Sequence, residues 1–380
     1  MKIALTATSC DNQTGIGKVV KNLGEHLAAA GHSVHVIASQ FDGVGKGVVC
    51  RRLSTPLWPH SLAHILCSKQ AGAYLRRGRY DISNSFGVGR GATIVTAQSC
   101  HRSGVDVERE FRKSRIGRRG WGIFDAAALA EEKSQVTAAT TRLIIAVSEL
   151  VKNQLQESYE IGPDRIKVIP NGVVLPEGDD SSRAERRRTA RARFGWREGD
   201  FGLLFVANEF DRKGLRTIIE AMALLRDPEI RLAVVGSDDR APFLRMGMRL
   251  GVAEQINFTG SIRGTESLYA GADCFVLPTW YEAFGIVIPE AMAEGVPVIT
   301  SAAAGAVEGM THGRDGLFLR DVRSAEELAA AIVRVRDDPA LRELLSSRGK
   351  ASALRFAWPV VMEETLEAYK TVARDSVAHP

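Results

Sequence analysis

The N-terminal segment constrains the fold most. An apolar run, Lys2 to Ala7, is followed by the turn Thr14-Gly15-Ile16-Gly17. Helical periodicity then runs from Lys18 to Ala30 and stops at Gly31, and a second apolar run follows from Ser33 to Ala38. Strand, helix, strand in this spacing is a βαβ unit, because parallel strands need a long crossover between them. A parallel sheet must be covered on both faces, which places the chain in the α/β class. The same order returns later: strand Phe201 to Ala207, a polar loop, helix Leu215 to Leu225, strand Ile230 to Val235. The segment Pro176 to Ser182, with Pro, Gly, two Asp and two Ser, reads as a linker between two such domains. A chain of 380 residues is long enough for that arrangement.

Composition removes several alternatives. Hydrophobic residues make up 45% and charged residues 25%, as in an ordinary globular protein. No apolar run reaches the roughly 18 residues that a membrane span needs, and Met1 to Ala7 lacks the apolar core of a signal peptide. The five cysteines are scattered without a CxxC spacing, which fits a reducing cytoplasm and no metal site. The loop at Gly15 and Gly17 is not a Walker motif, since Val19 follows Lys18.

The chemistry concentrates between Leu277 and Thr300. A strand from Asp273 to Leu277 feeds a loop holding Glu282, the turn Ala283-Phe284-Gly285, and a helix starting near Ile286 that carries Glu290. Pro289 is tolerated there because it lies in the first helical turn. Gly285 lets backbone approach a ligand, and the helix start suits a phosphate. Carboxylates accept hydrogen bonds from hydroxyls, so Glu282 and Glu290 suit groups on either side of a diphosphate. Arg212 and Lys213, before a second helix, suit the diphosphate itself.

The run from Glu282 to Ile299, E-A-F-G-I-V-x-P-E-A-M-A-x-G-V-P-V-I, resembles the signature of GT4-type retaining glycosyltransferases, the glycosyltransferase group 1 family. The Arg212-Lys213-Gly214 run, the segment AVSE…VIPNGV that closes the first domain, and Glu308, Gly313 and Gly316 near the end of the second extend the resemblance over nearly the whole chain. It implies a GT-B fold: two Rossmann-like domains facing a central cleft, residues 1–178 for the acceptor and 179–358 for the nucleotide-sugar donor. A C-terminal helix, 359–375, crosses back onto the first domain. It further implies a retaining, metal-independent transfer with no cofactor beyond the nucleoside diphosphate sugar, a UDP- or GDP-sugar. Glu282, His101, Arg212 and Lys213 take the catalytic positions. Gly15, Gly17, Gly260, Ile262, Ala283, Phe284, Gly285, Ile286 and Glu290 line the donor. The base lies against the Gly260-Ser261-Ile262 turn, and Gly264 beyond it offers no side chain. Two departures from the family pattern stand out: Gly15-Ile16-Gly17 replaces paired glycines, and Arg102 follows His101 where an acid or amide is usual.

Two basic stretches bear on partners. Arg109 to Asp125 interleaves Arg and Lys with Phe111, Ile116, Trp121 and Phe124, which suits an anionic membrane surface or, failing that, a solvated loop. No nucleic-acid motif accompanies it. Arg183 to Arg193 reads as a solvated helix face. The acceptor implied is a glycan or lipid-linked molecule, as in envelope polysaccharide or lipopolysaccharide synthesis. The protein would then be cytoplasmic, peripheral at the inner membrane face. A soluble acceptor, or a non-catalytic nucleotide-sugar-binding scaffold, is the alternative.

Overall fold

The computed structural model describes residues 1–54, 60–105, 107, 123–178, 180–262 and 266–378. The chain divides into two units. The first comprises Met1–Gly172 with Trp358–Pro380, and the second Val173–Ala357. Gly264 and residues 109–122 of the basic-aromatic stretch lie outside the described residues.

The first unit is built on a seven-stranded parallel sheet. Its order is Val48–Arg52, Ser33–Ala38, Lys2–Ala7, Ile82–Phe86, Ile94–Ala97, Leu143–Ala146, Ile166–Val168. The chain winds outward from Lys2–Ala7 in one direction, then returns beside it and winds the other way. The order therefore reverses between Lys2–Ala7 and Ile82–Phe86. At such a reversal the crossovers diverge and leave a crevice at the carboxyl ends of the strands.

The C-terminal helix, Trp358–Ala378, belongs to this unit. Its buried residues Trp358, Val361, Met362, Thr365, Tyr369 and Val372 follow a helical stripe. Trp358 stacks on His26 with ring centroids 5.0 Å apart. The Tyr369 hydroxyl accepts a hydrogen bond from Asn84 Nδ2 at 2.8 Å. A side chain at Gly172 would place its Cβ 2.5 Å from the Trp358 ring, so the chain passes here only as glycine.

The second unit has a six-stranded parallel sheet in the order Ile256–Gly260, Ile230–Val235, Phe201–Val206, Cys274–Leu277, Val298–Ser301, Leu317–Leu319. Numbered along the chain this is 3-2-1-4-5-6, the dinucleotide-fold order, and it reverses between Phe201–Val206 and Cys274–Leu277. Both strands are buried throughout.

The arginine-rich helix corrects one expectation. Asp180–Phe194 is helical, but much of its basic face is not solvated. Arg187 and Arg191 both donate to Asp273, at 2.6 and 3.0 Å. Arg191 is 8% exposed and also donates to the Asp200 carbonyl at 2.8 Å. Arg186 pairs with the buried Glu294. Asp273 accepts the Gly202 N–H at 2.7 Å as well. The arginine fork satisfies a half-buried carboxylate and nearby carbonyls together, which a solvated face would not do.

Candidate functional site

In the second unit, two loops leave the sheet at its reversal. One follows Phe201–Val206 and carries Glu209, Arg212 and Lys213. The other follows Cys274–Leu277 and carries Glu282 and Gly285. They are joined at close range. Gly214 has φ +87, and a Cβ there would lie 2.1 Å from the Pro278 carbonyl oxygen. Trp280 N–H donates to the Arg212 carbonyl at 3.1 Å. Arg212 Nη1 donates to the Tyr281 carbonyl at 2.9 Å. Lys213 Nζ forms an ion pair and hydrogen bond with Glu282 Oε2, with only 12% and 16% of the two side chains exposed.

Arg212 is held by a second carboxylate, from Glu209, through Nη2 at 2.5 Å and Nε at 3.3 Å. Partial burial pushes the Glu209 carboxyl up. The hydrogen bond and charge of Arg212, with Lys213 behind it, more than reverse this, so it sits below the usual carboxylate range. Glu209 also adopts a left-handed backbone, φ 56, uncommon without glycine. Sequence reading did not single it out. Its one signal was a position three residues before Arg212 in a strand-to-helix loop.

The segment 282–286 is fixed from below. The Glu282 and Phe284 carbonyls accept N–H groups of Gly305 and Ala306, at 3.0 and 2.8 Å. Ala283 and Phe284 are buried, and the Phe284 ring packs edge-on against Phe356. Gly285 has φ +87, and a Cβ there would come within 2.6 Å of Glu282 Cγ. Its bareness thus sets where the Glu282 side chain runs. The helix that Ile286 caps is short, Val287–Ala293, so positive charge here comes chiefly from Arg212 and Lys213 rather than from a long dipole.

Glu290 sits apart from this pair. It is 5% exposed and accepts a 2.7 Å hydrogen bond from the Tyr269 hydroxyl. With Ser267 and Tyr269 it lines a depression of about 300 Å³. Those two residues belong to the segment that follows the Gly260–Ile262 turn. Gly260 has φ +72 with open space over its Cα, and its carbonyl accepts the Gly236 N–H at 3.1 Å. Ile262 is half-buried beside it.

The first unit holds the remaining candidates. The Gly15–Ala29 helix is capped by the Thr14 hydroxyl, which accepts the Gly17 N–H. Gly15 has open space around it, whereas a Cβ at Gly17 would strike Asp11, Thr14 and Ser9 oxygens at 2.5–2.7 Å. Gly17 therefore serves the turn, and Gly15 and Ile16 form its open surface. His101 begins the helical stretch 101–105. The Glu132 carboxylate accepts the N–H groups of His101 and Arg102, at 2.6 and 3.2 Å. His101 lines a cavity of about 230 Å³ at the reversal of the first sheet, together with Ile16, Phe86, Gln98, Glu132 and His64. No group of His, Cys, Asp or Glu suited to a metal ion is found among the described residues.

Family models match both units. The Glycosyltransferase Family 4 model covers residues 13–176, and the model for glycosyl transferases group 1 covers 186–352. An uncharacterized glycosyltransferase of Methanocaldococcus jannaschii is 27% identical over 370 residues, 94% of each chain. The lipopolysaccharide glucosyltransferase WaaG of Escherichia coli is 28% identical over 266 residues, 69% of this chain and 66% of that protein. The crystal structure of WaaG superposes with a TM-score of 0.82, at 22% identity over 97% of this chain and 99% of that one. Anabaena HepE in complex with UDP-glucose superposes with a TM-score of 0.75, at 18% identity over 98% of this chain and all of that one.

Proposed function

The chain is a member of the group 1, GT4-type glycosyltransferases with the GT-B fold, and from that premise we propose that it transfers a sugar, with retention, from a nucleoside diphosphate donor to a glycan or lipid-linked acceptor. The observation that carries this reading is the pairing of Lys213 with Glu282, beside Arg212, at the reversal of the second sheet. Two cations at the carboxyl ends of parallel strands suit a diphosphate. In the free protein Glu282 holds Lys213 in place. A bound diphosphate competes for the ammonium, and Glu282 is then released to accept hydroxyls of the donor sugar. Glu290, fixed by Tyr269, accepts the ribose hydroxyls, and the base lies over Gly260 and Ile262.

As the bond between the anomeric carbon and the diphosphate breaks, negative charge grows on the leaving oxygens, and Arg212 and Lys213 stabilise it. The acceptor oxygen bonds to the same face of that carbon, and its proton passes to the departing phosphate. No metal ion or further cofactor enters this scheme. His101 contributes from the first unit, toward the donor sugar. UDP-glucose in HepE supports a nucleotide sugar, and WaaG supports an acceptor in lipopolysaccharide or related envelope glycans. Work on such an acceptor places the protein at the cytoplasmic face of a membrane. No helix of the described residues is long and apolar enough to cross one.

A panel of UDP- and GDP-sugars tests the reading, with thermal protection and released nucleoside diphosphate as readouts. One donor is expected to protect and to be slowly hydrolysed. Binding of no nucleotide at all would remove the reading.

A further inference from the structure

The loop between the strand Phe201–Val206 and the helix Leu215–Leu225 contains a strained residue, Glu209, at φ 56. Among the described residues, three other non-glycine residues have positive φ, and each closes a helix. Arg79 follows His60–Gly78, Glu160 follows Glu149–Tyr159, and Arg226 follows Leu215–Leu225. A left-handed residue is a common way for a helix to end. Glu209 lies ahead of a helix instead.

The chain is pinned on both sides of this kink. Asn208 Oδ1 accepts the Ser237 N–H and hydroxyl, at 3.0 and 3.1 Å. The Phe210 N–H donates to the Asp238 carboxylate at 2.7 Å, and the Phe210 ring is buried against Phe205, Phe243 and Phe258. The Glu209 carbonyl accepts the Lys213 N–H at 3.0 Å, which closes the turn. None of these contacts uses the Glu209 side chain. Glycine or asparagine would adopt the left-handed conformation at lower cost, so the turn gives no reason for a glutamate.

The side chain acts on Arg212. Its carboxylate takes the Nε and Nη2 edge of the guanidinium, at 3.3 and 2.5 Å, while the Tyr281 carbonyl takes Nη1 at 2.9 Å. Held from two directions, the planar group has one orientation. Burial opposes ionisation of Glu209, but the hydrogen bond and charge of Arg212 outweigh it, so the grip persists through the ordinary assay range. Stability does not explain the pair. Glu209 leaves 63% of its side chain exposed and lies three positions from Arg212, and exposed pairs of that kind contribute little. Donor affinity does not explain it either, since a carboxylate beside Arg212 opposes the approach of a diphosphate. Orientation of Arg212 is the effect that remains.

We propose that Glu209 is a positioning residue for sugar transfer, and that its carboxylate aims the Arg212 guanidinium at the leaving diphosphate. The inference rests on the glycosyltransfer reading, which gives Arg212 that task. Aim matters most as the leaving charge develops, because a misplaced donor loses its effect there.

The test compares Glu209→Gln and Glu209→Gly with the wild type, using the donor found in the nucleotide-sugar panel. Gln keeps the length of the side chain and loses its charge, and its amide nitrogen cannot accept the second N–H of the fork. Turnover is expected to fall about ten- to a hundredfold, with Tm unchanged. Affinity for the nucleoside diphosphate, read by calorimetric titration, should hold or tighten, because a negative charge has left the site. Gly removes the backbone strain as well, so its Tm should hold or rise while turnover falls as far. In an Arg212→Ala background, Glu209→Gln should have no further effect on turnover, because the residue acts through the guanidinium.

Wild-type turnover in Glu209→Gln, with the nucleotide bound as before, would overturn the inference and leave the donor reading standing. Turnover, affinity and Tm falling together would make Glu209 a support of the loop rather than of Arg212. An undiminished loss in the Arg212→Ala background would cut its link to the guanidinium. Either result overturns the inference. A wild-type protein that binds no nucleoside diphosphate would remove the donor reading, and the inference with it.

Discussion

The two units have the same kind of sheet and the same kind of reversal, yet the crevices that result are chemically unlike. In the second unit the loops at the reversal carry Arg212, Lys213, Glu209 and Glu282, cross-linked as ion pairs. In the first they carry Ile16, Gln98 and His101, and no lysine or arginine is among the described residues that line the cavity. Strand order therefore decides where a ligand can lie, and side chains decide its charge. A diphosphate suits the crevice that holds Arg212 and Lys213.

The largest test of that contrast is Lys213→Ala. It removes one of two cations from the leaving group and strands Glu282 at 16% exposure without its partner. Turnover is expected to fall by about 10²–10³, the usual effect of deleting a charge-stabilising donor, and the donor KM to rise with it. Glu282→Gln should cut turnover comparably while the protein stays folded, because the residue lies in a loop. Steady-state kinetics with the donor found in the panel checks both. Wild-type values would dissolve the distinction between the two crevices.

Gly285→Ala is next. The added methyl meets positive φ and Glu282 Cγ together. Such strain costs on the order of 1–3 kcal/mol, read as a lowered Tm. Turnover should fall through displacement of Glu282. By contrast Gly15→Ala, where no atom lies within 4 Å, should leave Tm nearly unchanged. An equal response at both glycines would mean that the crowding at Gly285 does not position Glu282.

How much of this was legible in the sequence differs along the same line. The βαβ order and the GT-B fold were readable, because strand and helix periodicities are local. Glu282, Arg212 and Lys213 were each recognisable in their own motif. Their pairing was not, since Lys213 and Glu282 are 69 positions apart and meet only where the first and fourth strands of the second sheet are neighbours. Arg187 and Arg191 were read as solvated for the same reason: Asp273, which they share, lies far along the chain. His64 gave no signal at all. It shares its helix with His60, and the cavity it lines is assembled from five separate stretches of the first unit.

Tyr269→Phe should act only on the donor side. Without the hydroxyl, Glu290 loses its 2.7 Å bond and its fixed orientation, at a cost of about 1 kcal/mol. The donor KM should rise several-fold for a ribonucleotide sugar and much less for its 2′-deoxy form, since the deoxy form lacks a hydroxyl for Glu290 to accept. A similar change for both donors would mean that Tyr269 supports packing rather than the ribose contact.

The smallest effect is that of salt. Ion pairing with a diphosphate is partly screened once the Debye length falls from about 10 Å at 0.1 M toward about 3 Å at 1 M. Nucleotide affinity should therefore drop several-fold between those conditions. In Lys213→Ala, with one cation fewer to meet the diphosphate, the same change of salt should cost less. Nucleotide binding curves for the wild type and Lys213→Ala, each at low and high salt, make the comparison directly. Parallel salt dependence would mean that Lys213 does not meet the diphosphate, and that the charge contrast between the two crevices does not rest on it.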